Sequence, residues 1–227
     1  MPSKKGFVHK SMALIAALDV SWFWTWSAAP PPDAPPGLDF VPCKWSAGAR
    51  SAIAGRWPVV LGFNEPDCER QANVDARAAA ASWQQLVALH GARVGSPQTA
   101  RNPLAPGSWL RQFLQHGGSF DILCVHRYAG PDAGKFLRWL DELFAEFQRP
   151  IWVTEFAVAR WRGGGGPHGL ESVKQFMREA CAGMDARPHV ERYCWKTRGT
   201  DCGVMGTSAL AHGDGSLTEL GLLYKAL

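Results

Sequence analysis

Val59-Val60-Leu61-Gly62-Phe63-Asn64-Glu65-Pro66-Asp67 is an apolar run that ends abruptly in an amide and two acids. Val59 to Phe63 is rich in β-branched and aromatic residues with no polar interruption, which predicts a short, fully buried strand. Pro66 has no N–H to give to a ladder, so the strand cannot run through it. Asn64 and Glu65 therefore fall at a C-terminal strand tip, where parallel α/β folds keep their chemistry. An alternative makes this stretch the lead-in to the Ala-rich helix that follows, with Asp67 as its cap. That reading accounts for Asp67 and leaves Asn64 and Glu65 unexplained.

Further along, Pro150-Ile151-Trp152-Val153-Thr154-Glu155-Phe156-Ala157 has the same form, with Glu155 at its end. Two strand-tip carboxylates on separate strands are what a two-carboxylate mechanism needs. One donates a proton to a leaving oxygen while the other stabilises or attacks the carbon that loses it.

Six further segments read as strands: 6–9, 20–27, 39–45, 93–97, 120–128 and 190–196. Helices are expected over 11–18, 74–90, 109–116, 135–147, 170–184 and 218–226, with a weak one around 47–56. The 135–147 helix is the clearest, with apolar residues at Phe136, Leu137, Leu140, Leu143, Phe144 and Phe147. Strands alternating with helices in this number predict one α/β domain over 1–227, a compact (β/α)8 TIM barrel. A doubly wound open sheet is the runner-up, disfavoured because no glycine fingerprint follows the first strand. Residues 28–37 form a Pro-rich, stiff loop. The Gly-rich loop after Trp161 lacks the Lys-Ser/Thr ending of a phosphate cradle.

The chain has 227 residues, 46% of them hydrophobic, enough for a well-buried core without disulfides. Its net charge of +4 is mild and the cations are scattered, so no nucleic-acid partner is expected. No segment is long enough to cross a membrane, and a monomer is expected. The basic residues before Met12 to Leu18 resemble a leader only superficially, because Asp19 ends the run without a small-x-small site. The expected location is inside the cell, unless a leader has been removed. The six cysteines contain no CxxC and no metal pattern, so no cofactor or metal is expected. Cys43, Cys124 and Cys194 read as small buried hydrophobes, and a loop disulfide between Cys68 and Cys202 stays open. Eleven tryptophans are more than packing favours, since each indole N–H needs a partner. The surplus suggests flat platforms in a groove for sugar rings or bases, and the period of two puts Trp22, Trp24 and Trp26 on one face.

The segments SWFWTWS (21–27), FVPCKW (40–45), LGFNEPD (61–67), VGSP (94–97), VHRY (125–128), WVTEFA (152–157), YCW (193–195) and LTELGLLY (217–224) together resemble glycoside hydrolase family 128. These are compact clan A barrels that cut β-1,3-glucans. The resemblance implies a retaining endo-β-1,3-glucanase acting on a polysaccharide or oligosaccharide, with Glu65 as acid/base and Glu155 as nucleophile. Glu65 would then carry a proton at working pH, favoured by apolar neighbours or by the Glu155 charge. Asn64 would bind the sugar 2-hydroxyl, and His126 and Tyr128 would orient Glu155. Trp195 would floor the reacting sugar, with Trp24, Trp26 and Trp45 as further platforms. The chain departs from the family at Lys44, Arg127 and Lys196, where apolar or aromatic residues are usual. These cations either pair with acids such as Asp67 and Asp201 or bind an acidic group on the glycan. A carbohydrate-binding barrel without turnover is the alternative from another class.

Overall fold

The computed structural model describes residues 3–48, 52–90, 93–161 and 166–227, without the side chains of 84–90. Its strands are β1 (Lys5–Val8), β2 (Trp22–Trp24), β3 (Asp39–Phe40), β4 (Val59–Val60), β5 (Arg93–Val94), β6 (Leu123–Ala129), β7 (Ile151–Val158) and β8 (Val190–Lys196). Between and after them run α1 (Met12–Ala17), α2 (Ala76–His90), α3 (Trp109–Gln115), α4 (Ala133–Phe147), α5 (Leu170–Asp185) and α6 (Glu219–Ala226). Ser11, Ser108, Asp132 and Thr218 cap α1, α3, α4 and α6 by accepting from a backbone N–H of the first turn.

Strand pairing is parallel throughout, in a six-stranded sheet ordered β3-β2-β1-β8-β7-β6 and a pair β4-β5. Single parallel bridges join Cys43 to Leu61 and Gly95 to Ile122. The first strand thus lies beside the last, which the open-sheet alternative does not provide. The regular strands β2 to β5 are shorter than the sequence predicts. β4 stops at Val60, and just beyond it the chain passes close to its neighbours at Gly62. A Cβ there would sit 2.4 Å from the Trp83 ring and 2.6 Å from the Ser96 carbonyl oxygen. The helix expected around 47–56 is absent at 47, 48 and 52–56, and 49–51 lie outside the described residues.

Side chains divide by strand alternation into two layers. Val8, Trp22, Trp24, Cys43, Leu61, Cys124, Trp152 and Cys194 form one cluster. Phe7, Phe23, Val60, Val125, Val153, Phe156, Tyr193 and Trp195 pack with the helices in the larger one. Cys43, Cys124 and Cys194 are the small buried residues expected. All six cysteines are free thiols, so no Cys68–Cys202 bridge forms. Among the described residues no helix is long and apolar enough to cross a membrane.

Candidate active site

The carboxylates of Glu65 and Glu155 meet over one end of the strands. One oxygen from each and a ring nitrogen of His126 all lie within 4.8 Å of one another. They open into a cavity of about 1120 Å³ that Asn64, Tyr128, Trp26, Trp45, Trp139 and Trp161 also line. Glu65 follows β4 in a left-handed conformation, φ 45°, with its N–H donating to the Gln98 carbonyl at 2.7 Å. Trp26 is also left-handed, at φ 60°. A non-glycine residue held there costs on the order of 1 kcal/mol or more, and such strain gathers where a side chain must be aimed.

Glu155 is aimed by a fault in the ladder. Plain alternation along β7 would turn it toward the helices, because Val153 faces them. The pairing instead jumps from Val125↔Val153 to His126↔Glu155, skipping Thr154. This bulge returns Glu155 to the cavity and leaves Phe156 on the helix side. Trp24 Nε1 donates to the Thr154 carbonyl at 3.1 Å and holds the bulge.

Glu155, with its side chain 5% exposed, is surrounded by donors and cations. The Tyr128 hydroxyl donates to Oε2, and Trp26 Nε1 donates to Oε1 at 2.9 Å. Burial pushes the Glu155 carboxyl up. The charges of His126 and Lys196 and the two hydrogen bonds outweigh it and hold the group below the ordinary carboxylate value. Burial and the Glu155 charge drive the Tyr128 phenol well above its usual value, so it remains a donor.

His126 serves Glu65 more than Glu155, contrary to expectation. Its Nδ1 is 3.0 Å from Glu65 Oε1, while Nε2 is 3.2 Å from Gln98 Oε1 and 3.9 Å from Glu155 Oε1. Gln98 Nε2 donates to the Gly62 carbonyl at 3.2 Å, which turns its oxygen to His126 and assigns a proton to Nε2. Burial lowers the imidazole's proton affinity. The charges of both acids and the bond to Glu65 reverse this and hold it above the ordinary histidine value. Both ring nitrogens of His126 are thus engaged by side chains, Nδ1 by Glu65 and Nε2 by Gln98. Asn64 gives Nδ2 to Gln71 at 3.3 Å, and its buried Oδ1 has no partner in the protein. That acceptor beside two carboxylates suits a hydroxyl-bearing ligand.

Several expected residues lie elsewhere. Trp195 is fully buried on the helix side of β8, packed on Phe156 and donating to the Ser208 carbonyl at 2.9 Å. Even spacing from Cys194 turns Lys196 to the cavity and Trp195 away from it. Trp24 is buried beneath Trp26 and His126. Trp22 belongs to the core as well. Lys44 bonds the Gly48 carbonyl and does not line the cavity. Arg127 does line it, 4.8 Å from the Trp139 ring centre, and Lys196 sits 3.8 Å from that of Trp26. Asp67 accepts from the backbone of Ala100 and Arg101 and pairs with none of these cations. Trp139, Lys10, Arg70, Arg101 and Arg198 line the cavity and Gln98 bonds His126, none of them expected from the sequence. A polar residue just past VGSP was the only signal for Gln98.

Two close carboxylates at parallel strand tips, held by donors in an aromatic-lined cavity, define a glycoside hydrolase. The chain belongs to the glycosyl hydrolase catalytic core family, glycoside hydrolase family 128, whose profile matches residues 7–224. It is similar to a subgroup I endo-β-1,3-glucanase of Amycolatopsis mediterranei crystallised with laminarihexaose, at 30% identity and a TM-score of 0.84 over 99% of each chain. A subgroup V exo-β-1,3-glucanase of Cryptococcus neoformans is 26% identical, with a TM-score of 0.84 over 98% of each chain. A subgroup VII oligosaccharide-binding protein of Trichoderma gamsii is also 26% identical, with a TM-score of 0.84 over 99% of this chain and 93% of that one. Alkali-sensitive linkage protein 1 of Schizosaccharomyces pombe is 32% identical over 189 residues, 79% of this chain and 34% of that protein. The chain therefore spans about a third of that relative.

Proposed function

We propose that the protein is a retaining endo-β-1,3-glucanase whose single catalytic unit is a closed (β/α)8 barrel. The pairing of β1 with β8 and the bridges at Cys43–Leu61 and Gly95–Ile122 support closure, since together they link every strand to two others. The observation that carries the reaction is the approach of Glu65 and Glu155 to within 4.8 Å, which suits direct attack better than a water held between them. Glu155, kept ionised, attacks the anomeric carbon while Glu65 protonates the leaving oxygen. Glu65 then takes a proton from the water that releases the sugar. His126, hydrogen-bonded to Glu65, accompanies that proton in both directions. Asn64 Oδ1 accepts from a sugar hydroxyl, while Trp26 and Trp45 offer ring faces to the chain. The test is release of reducing ends from a linear β-1,3-glucan. Glu65→Gln and Glu155→Gln should each abolish it, and undiminished turnover in either refutes the assignment.

The likeness to an oligosaccharide-binding relative favours a second reading, binding without turnover. Both carboxylates are retained here, which argues for hydrolysis. Stoichiometric binding by the unaltered protein with no product after long incubation would reverse that order.

A further inference from the structure

The charge of the catalytic cavity is at odds with a neutral ligand. Of its described lining residues, six are cations: Lys10, Arg70, Arg101, Arg127, Lys196 and Arg198. Only two are acids, the pair Glu65 and Glu155. That excess of four is as large as the formal +4 of the whole sequence. Among the described residues none of the six forms a salt bridge; the arginines that do are Arg93, Arg111, Arg187 and Arg192, all outside the cavity. Arg127 has a buried Nε with no partner.

The cations come from several strand ends. Lys10 follows β1, and Lys196 and Arg198 end or follow β8, which pairs with the strand of Glu155. Burial lowers the proton affinity of Lys196 against the opposing pull of Glu155, and Arg198 and Lys10 add to the lowering, so these charges feel one another. Arg127 lies on β6, which pairs with β7 beside Glu155, and Arg70 and Arg101 lie in the loops after β4 and β5. Only Glu65 and Glu155 offset these six charges, so the surplus cations repel one another, and a bound anion relieves the repulsion. A neutral glucan needs ring faces and neutral hydrogen-bonding groups. Guanidinium forks fit carboxylate, sulfate and phosphate oxygens two at a time.

We propose that this cavity takes a glycan bearing oxyanion substituents on the sugars flanking the cleavage point, an inference that rests on the glucanase reading. The test compares kcat/KM on a neutral β-1,3-glucan and on the same glucan partly carboxylated at C6, sulfated or phosphorylated, at low and high ionic strength. The expected result is a preference of about tenfold or more for at least one anionic form, the effect of one charge-assisted contact, shrinking as salt rises. Arg198→Gln and Lys10→Gln should each reduce the ratio of anionic to neutral kcat/KM, and the form most affected identifies the substituent. Titration of Glu155→Gln protein with the same glycans reads binding without chemistry. Cleavage of the neutral glucan with equal or lower kcat/KM on every anionic form overturns the inference and leaves the glucanase reading standing. If neither glucan is cleaved, tighter binding of an anionic form upholds the inference while the hydrolytic reading fails, and equal binding overturns both.

Discussion

Trp26 donates its indole N–H to Glu155 Oε1 at 2.9 Å, from a backbone held at φ 60°. The strained residue thus stabilises the charged form of Glu155. Trp26→Phe keeps a ring in the cavity and removes the donor. Loss of a hydrogen bond to a charged group is worth about 1.5–3 kcal/mol, so kcat should fall roughly 10- to 100-fold. Glu155 is held low, and losing a donor raises it. The acidic limb of the pH–rate profile should therefore move to higher pH. An unmoved limb would mean that Trp26 acts only as a platform.

Stability should depend on pH through the same cluster. His126 is held above its unfolded value of 6.5, so its contribution is complete below 6.5 and fades as pH rises through the folded value. Glu155 is held below its unfolded value of 4.5, so its contribution is complete above 4.5 and fades as pH falls through the folded value. Both contribute fully between 4.5 and 6.5. Urea midpoints should peak in that window, and His126→Gln should flatten the decline above it. An equal slope in that variant would place the decline elsewhere.

Gly62→Ala tests how β4 carries the site. The new methyl would meet the Trp83 ring at 2.4 Å and the Ser96 backbone oxygen at 2.6 Å. Overpacking of this kind costs about 1–3 kcal/mol and lowers Tm. Because Asn64 and Glu65 follow directly, kcat measured well below Tm should fall too. Full activity in a destabilised variant would show that the strand tip is positioned from the Gln98 side alone.

The strand tips were legible because apolar runs stopped by polar residues need no partner to be recognised. Glu65 and Glu155 could be found this way. What single-chain reading cannot supply is parity. Whether Trp195 or Lys196 faces the cavity depends on where the count of two begins, and the bulge at Thr154 resets that count just before Glu155. Glu155 does face the cavity, although unbroken alternation would have turned it outward. The bond from His126 to Glu65 was missed for a related reason. It depends on Gln98, from a strand whose regular pairing covers only Arg93 and Val94. The cation groups stayed hidden because Lys10, Arg101 and Arg198 lie far apart in sequence and converge only when strand ends do.

Trp195 supplies the last prediction, because its burial separates a packing role from sugar contact. Its ring fills the space between Phe156, Phe176 and Tyr224, at centroid distances of 5.0, 6.3 and 6.4 Å. Trp195→Ala empties that space and should cost about 3–5 kcal/mol. Trp195→Phe refills most of it but leaves the Ser208 carbonyl without its donor, a loss of about 1–3 kcal/mol. Neither change touches the cavity, so Trp195→Phe should melt earlier and keep its kcat/KM on β-1,3-glucan at temperatures where it is folded. The opposite pattern, an unchanged Tm with a reduced kcat/KM, would return Trp195 to the floor of the sugar site and overturn the parity assigned to β8.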